Sequence, residues 1–180
     1  FPAQQVQATD GVKHTPGVQE GRASRFARSS VLPRGDVVYV SGQARPGSLS
    51  VATTATMKGL FATLEFMKVR KQDIVQIKCF ANPIKDAATV MDAIASVFAG
   101  ETIPPVSLVE WQHSSLPIEI EVVAWRPGGR SKEPVSFATP PGLSSSPVFS
   151  RVATIHSQNR IYVAGLHSSG QQADVSQVKS

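Results

Sequence analysis

Two glutamates, Glu119 and Glu121, alternate with Ile118, Ile120 and Val122 near residue 120. In an extended strand, successive side chains point to opposite faces, so both carboxylates share one face. Such a pair either solvates an open face or holds a water and exchanges its proton. Other groups with chemical capacity are scattered. Cys79 is the single cysteine, so the chain has no internal disulfide and no cysteine-based zinc site. It alternates with Val75 and Ile77, which reads as a core thiol. His14, His113, His156 and His167 form no pair at helical metal spacing. No phosphate loop, metal cluster or nucleophile triad is apparent in the spacing. Arg28 and Arg45 read first as surface cations, and Trp111 and Trp125 as packing residues.

The elements that must position these groups follow from the apolar pattern. Phe26 to Val31 reads as a strand, Pro33-Arg34-Gly35-Asp36 as a turn, and Val37 to Val40 as a second strand, together a β-hairpin. Gln43 to Ser50 is loop. Met57, Leu60, Phe61, Leu64 and Met67 follow i, i+3, i+4, i+7 spacing and predict a helix over about 51–69, capped by Ser50 or a nearby threonine. A third strand spans Ile74 to Ala81. Asp86 suits the N-cap of a second helix over Ala87 to Phe98, ended by Gly100. Strands Val106 to Trp111 and Ile118 to Trp125 follow. The order is β-β-α-β-α-β-β, an α+β unit with a single mixed sheet and two helices on one face. The opposite face is left to be covered by something else, often another subunit.

The 180-residue chain is 41% apolar and 17% charged, with a formal net charge of +5. That composition is globular. It holds no run of the roughly 18 apolar residues that suggests a membrane span, and the positive balance permits weak polyanion binding without an RNA-binding motif. No signal-peptide core is evident, which favours the cytoplasm.

Residues 1–21 read as a flexible lead-in, 22–127 as one domain, and 128–147 as a linker rich in Pro, Gly and Ser. Beyond it, Phe149, Arg151, Tyr162, Val163, Gly165 and Gly170 match Phe26, Arg28, Tyr39, Val40, Gly42 and Gly47 at one offset. Residues 148–180 therefore read as the opening hairpin of a second, incomplete repeat. The chain is expected to be cut from a tandem protein.

Four stretches resemble the RidA/YjgF family of small enamine/imine deaminases, also called the endoribonuclease L-PSP family. They are Val38-Tyr39-Val40-Ser41-Gly42-Gln43, the helix with Met57, Leu60, Thr63 and Leu64, the segment from Asp73-Ile74-Val75-Gln76 to Asp86, and Ile118-Glu119-Ile120-Glu121-Val122-Val123-Ala124. The resemblance covers about Arg22 to Pro127. It implies a chorismate-mutase-like fold, a homotrimer or a pseudo-trimer of tandem domains, and pockets between subunits. There an arginine binds the carboxylate of a 2-imino acid or 2-aminoacrylate, and a glutamate positions the attacking water. The products are a 2-keto acid and ammonia, and no cofactor is required.

Carried onto this sequence, the resemblance assigns the pocket glutamate to Glu121 and the lining loop to Ser41 and Gly42. Val106 stands at the family arginine, Leu108 at a residue that is often cysteine, Met91 at a pocket asparagine and Phe26 at a tyrosine. Arg45, three residues after Gly42, is a candidate anion contact. Three functions stay open: a deaminase of this type, a non-catalytic member binding a small metabolite in an apolar intersubunit cleft, and an RNA-binding or endoribonuclease-like protein.

Overall fold

The computed structural model describes residues 11–19, 22–112, 115–129, 131–157 and 159–160. Eight strands and two α-helices follow one another: β1 (Lys13–Gln19), β2 (Arg22–Val31), β3 (Asp36–Gln43), α1 (Leu49–Phe66), β4 (Ile74–Ala81), α2 (Ala87–Val97), β5 (Val106–Glu110), β6 (Ile118–Arg126), β7 (Val135–Ala138) and β8 (Val152–Ile155). Six strands form one sheet in the order β5-β4-β6-β3-β8-β7. Only β4 and β5 run parallel within it. The sheet is mixed, as expected, and the connection between its two parallel strands runs through α2.

Alternation along each strand sets the two faces. Val38 and Val40 of β3, Ile77, Cys79 and Ala81 of β4, and Ile118, Ile120, Val122 and Ala124 of β6 all enter one buried core. Met57, Leu60 and Leu64 of α1 and Val90 and Ile94 of α2 meet them there. Both helices thus cover one face through the apolar stripe legible in the sequence. Cys79 is fully buried, and burial pushes its thiol up to about 12. The helix ends differ in detail from expectation. Ser48 is the N-cap of α1 and Asp86 that of α2, and neither makes a side-chain cap hydrogen bond. After α1 and α2 the chain turns through left-handed Lys68 and Ala99-Gly100.

The opening hairpin is the main correction. β2 does not pair with β3; it pairs antiparallel with β1 in a separate two-stranded sheet. Residues 13–19, expected as flexible, form that partner strand. The vacant edge of β3 is taken by β8, with Val37, Tyr39 and Val40 opposite Ile155, Ala153 and Val152. Val152 and Thr154 of β8 are buried opposite Val40 and Val38, so its alternation continues the core face of β3. The stretch expected as linker holds β7, which pairs with β8 and ends the sheet. The second half of the expected repeat hairpin, with Tyr162, Val163, Gly165 and Gly170, lies outside the described residues, as does His113.

Candidate functional site

One group of polar side chains lies on the sheet face opposite the helices. Lys78 of β4 lies opposite Ser107 of β5 and Glu121 of β6, so the three form one cross-strand row. The Lys78 ammonium stands 3.8 Å from the Glu121 carboxylate, and both side chains are more than a third exposed. The Lys78 side chain is exposed enough for a group in solvent to reach it as well. Tyr39, Ser41 and Val123 complete a shallow cleft of about 200 Å³ with Lys78 and Glu121. Ser41 is half-buried, and its backbone N–H donates to Arg151 O at 2.9 Å.

Glu119 sits two residues from Glu121 on the same face. The β3–β6 register shifts between Val40 and Gln43, which places a bulge at Ser41-Gly42. The Glu119 carboxylate packs into the space that a side chain on Gly42 would occupy. Burial, then the neighbouring Glu121 charge, raises the Glu119 carboxyl from its ordinary value. The face therefore joins two carboxyl groups, the Glu119 one raised from its ordinary value, and an ammonium. Sequence patterning shows that the two glutamates share a face, but only the bulge singles out Glu119.

The other candidates are dispersed. Phe26, Val106 and Leu108 pack against the hydrophobic core on the helix side of the sheet. Phe26 bridges Ile103 there. Met91 is half-buried on α2. Arg45 lies near Gly59 of α1, in a separate cleft of about 320 Å³ with Gln43, Thr63 and Pro140. Within one chain, Ser41, Gly42 and Glu121 are brought together, whereas Val106, Leu108, Phe26 and Arg45 are not part of that group. Among the described residues, no cluster of three His, Cys, Asp or Glu could hold a metal, and no helix is long and apolar enough to cross a membrane.

A second constellation was not visible in the spacing. Ser136 Oγ lies 2.9 Å from His156 Nε2, and His156 Nδ1 lies 2.9 Å from Asp36 Oδ2. Arg126 Nε donates to the same carboxylate oxygen at 3.2 Å. The expectation of no serine–histidine–aspartate arrangement is thereby corrected. Asp36 and His156 are 120 positions apart and meet only because β8 pairs with β3.

The sequence profile of the endoribonuclease L-PSP family matches residues 23–126. No curated protein matches the chain. Among solved structures, the Rid-family protein YyfB of Yersinia pestis is 18% identical with a TM-score of 0.51, covering 56% of this chain and 86% of its own. Rv2704 of Mycobacterium tuberculosis, of the YjgF/YER057c/UK114 family, is 21% identical with a TM-score of 0.48, covering 64% and 100%. The YjgF gene product of E. coli is 22% identical with a TM-score of 0.47, covering 63% and 94%. With the profile spanning more than half of the sequence, over the two helices and their mixed sheet, the chain belongs to the endoribonuclease L-PSP family, the RidA/YjgF group.

Proposed function

We propose that this protein hydrolyses small enamine or imine intermediates, of the 2-aminoacrylate and 2-imino acid class, to 2-keto acids and ammonia. The observation that carries the reading is the Glu119 carboxyl packed beside Gly42, on one sheet face with Glu121 and Lys78. Hydrolysis of an imine needs a proton on nitrogen and a water delivered to carbon. One carboxyl can supply the first, and a neighbouring carboxylate can position the second. Glu119 is assigned the acid role and Glu121 the water-positioning role. An enamine first takes a proton on its terminal carbon and becomes the imine; water then adds to the imine carbon and gives a proton to Glu121, the nitrogen takes a proton, and the carbinolamine collapses to the ketone as ammonia leaves. Lys78 offers the charge that the substrate carboxylate requires, since Val106 has none. Ser41 and Tyr39 border the same cleft.

The open face is also the proposed contact surface of a homotrimer, or of a pseudo-trimer when domains are tandem. Exposed Val109 and Phe137 are apolar groups on that side of the sheet.

The test generates the imine in situ with an amino-acid oxidase and follows keto-acid release above the spontaneous rate. Loss of roughly 10²–10⁴-fold in Glu119→Gln or Glu121→Gln is expected for groups that transfer protons in the reaction. A wild-type protein that adds nothing to the spontaneous rate overturns the proposal.

A further inference from the structure

We propose that Ser136, His156 and Asp36 form a nucleophilic serine site that accepts small activated acyl esters, on the sheet face opposite Glu119 and Glu121. Three elements converge to make it. Asp36 opens β3, Ser136 lies on the edge strand β7, and His156 follows β8. The His156 backbone N–H donates to Pro134 O at 2.9 Å, extending the β7–β8 ladder and fixing the imidazole beside Ser136. The connectivity is that required of a nucleophile, a base and a group that orients the base. Nε2 meets the hydroxyl and Nδ1 meets the carboxylate, each at 2.9 Å.

The burial gradient has the same direction. The Asp36 side chain is 2% exposed and that of His156 is 8% exposed, whereas Ser136 is open to solvent. A buried carboxylate that accepts from Nδ1–H leaves Nε2 as the acceptor, the tautomer a general base needs. Arg126 donates to Asp36 from the same side, at 3.2 Å, and holds the carboxylate in place. Arg126 and His156 both donate to the buried carboxylate, and the second imidazole nitrogen reaches on to an exposed hydroxyl.

In the reaction, Ser136 Oγ forms a bond to the acyl carbon while its proton passes to His156 Nε2. The carbon–oxygen bond to the leaving alcohol breaks, and that alcohol takes the proton from Nε2. Water then attacks the acyl-serine, giving its proton to Nε2, and Ser136 regains it as the carboxylic acid departs. The exposed edge position of Ser136 suits a short, unhindered acyl group.

The experiment treats the whole chain with p-nitrophenyl acetate and, separately, with a fluorophosphonate probe, and maps the adducts by mass spectrometry. A burst of p-nitrophenolate with an acetyl group on Ser136 is expected. It should fall roughly 100-fold in both Ser136→Ala and His156→Gln. Ser136 is exposed, so Ser136→Ala preserves the fold, which circular dichroism verifies. Glu119→Gln should leave the burst intact, which separates this site from the imine-hydrolysing face. The proposal is overturned if Ser136 carries no adduct, or if the folded Ser136→Ala protein reacts as fast as wild type.

Discussion

The Glu119 carboxylate occupies the space that a side chain at Gly42 would fill. This one relationship ties the β3 bulge to the chemistry of the open face. The obstructing atoms are the carboxylate end and Cγ of a flexible side chain, not backbone. Gly42→Ala is therefore expected to displace Glu119 rather than disrupt the sheet. Stability should stay within ~1 kcal/mol of wild type, inside the usual range of tolerated small changes. The Glu119 carboxyl, swung into solvent, should titrate closer to an ordinary glutamate. Chemical denaturation with carboxyl-resolved NMR titration checks both outcomes, and imine hydrolysis should fall in the same variant.

Gly35 is the opposite case. A Cβ there would collide with the Trp125 ring and with the Arg126 carbonyl oxygen. Trp125 is almost wholly buried, so neither neighbour can yield cheaply. Gly35→Ala should destabilise the fold by ~1–3 kcal/mol, the usual cost of overpacking. A lowered urea midpoint with unchanged slope is the expected reading.

The Glu119 shift also fixes a pH dependence. Its carboxyl holds the proton to a higher pH in the folded protein than in the unfolded chain. Between the two values the folded state binds more protons, so stability falls as pH rises through that window. The contribution is fully present below the unfolded value near 4.5 and is lost as the folded group ionises. Glu119→Gln removes the ionisation. The variant should gain stability relative to wild type above this window and show no relative gain below it. Urea unfolding at a series of pH values reads the difference, and a difference independent of pH would contradict it.

Much of this architecture is legible in local pattern. The helix stripe from Met57 to Met67 and the alternations at Ile74–Ala81 and Ile118–Ala124 specify which side chains enter the core, because one face of each element is continuously apolar. The partner of β3 is not legible in that way. Phe26–Val31 and Val152–Ile155 are both short segments able to form strands, and either suits the β3 edge by local criteria. Short sequence separation favours the first, whereas the fold uses the second. The serine–histidine–aspartate group escapes sequence reading for the same reason, since it exists only once β8 has taken that edge. The positions of Val106 and Leu108 were also obscured, because alternation shows that they share a face without showing which face.

Val106 packs against the core on the helix side. An arginine there must carry its charge past Ile77, the residue opposite it on β4, and the apolar groups around it. Val106→Arg should lower stability by ~1–3 kcal/mol, the mutational cost of placing a polar group where it lacks a partner. Thermal unfolding of the variant beside Val106→Leu checks this, since the leucine tests added volume alone. Equal losses in the two would assign the effect to size rather than charge.

The strand assignment at β3 can be tested directly. Tyr39 lies opposite Ala153 across β3 and β8. Directly opposed residues in antiparallel strands stand ~4.5–5.5 Å apart at Cα, within reach of a disulfide. Across a hairpin closed at Pro33-Arg34-Gly35-Asp36, Ser30 is the residue that would face Tyr39 if β2 occupied the edge instead. The double variant Tyr39→Cys/Ala153→Cys should oxidise to a bridged monomer, whereas Tyr39→Cys/Ser30→Cys should remain reduced. The native Cys79 does not interfere, because it is buried and its thiol is pushed up to about 12. Non-reducing gel mobility after mild oxidation, with peptide mapping of the bridge, distinguishes the two arrangements. Bridging of the 30–39 pair in place of 39–153 would return β2 to the edge of β3. It would also separate His156 from Asp36, so the same experiment bears on whether the serine site can assemble.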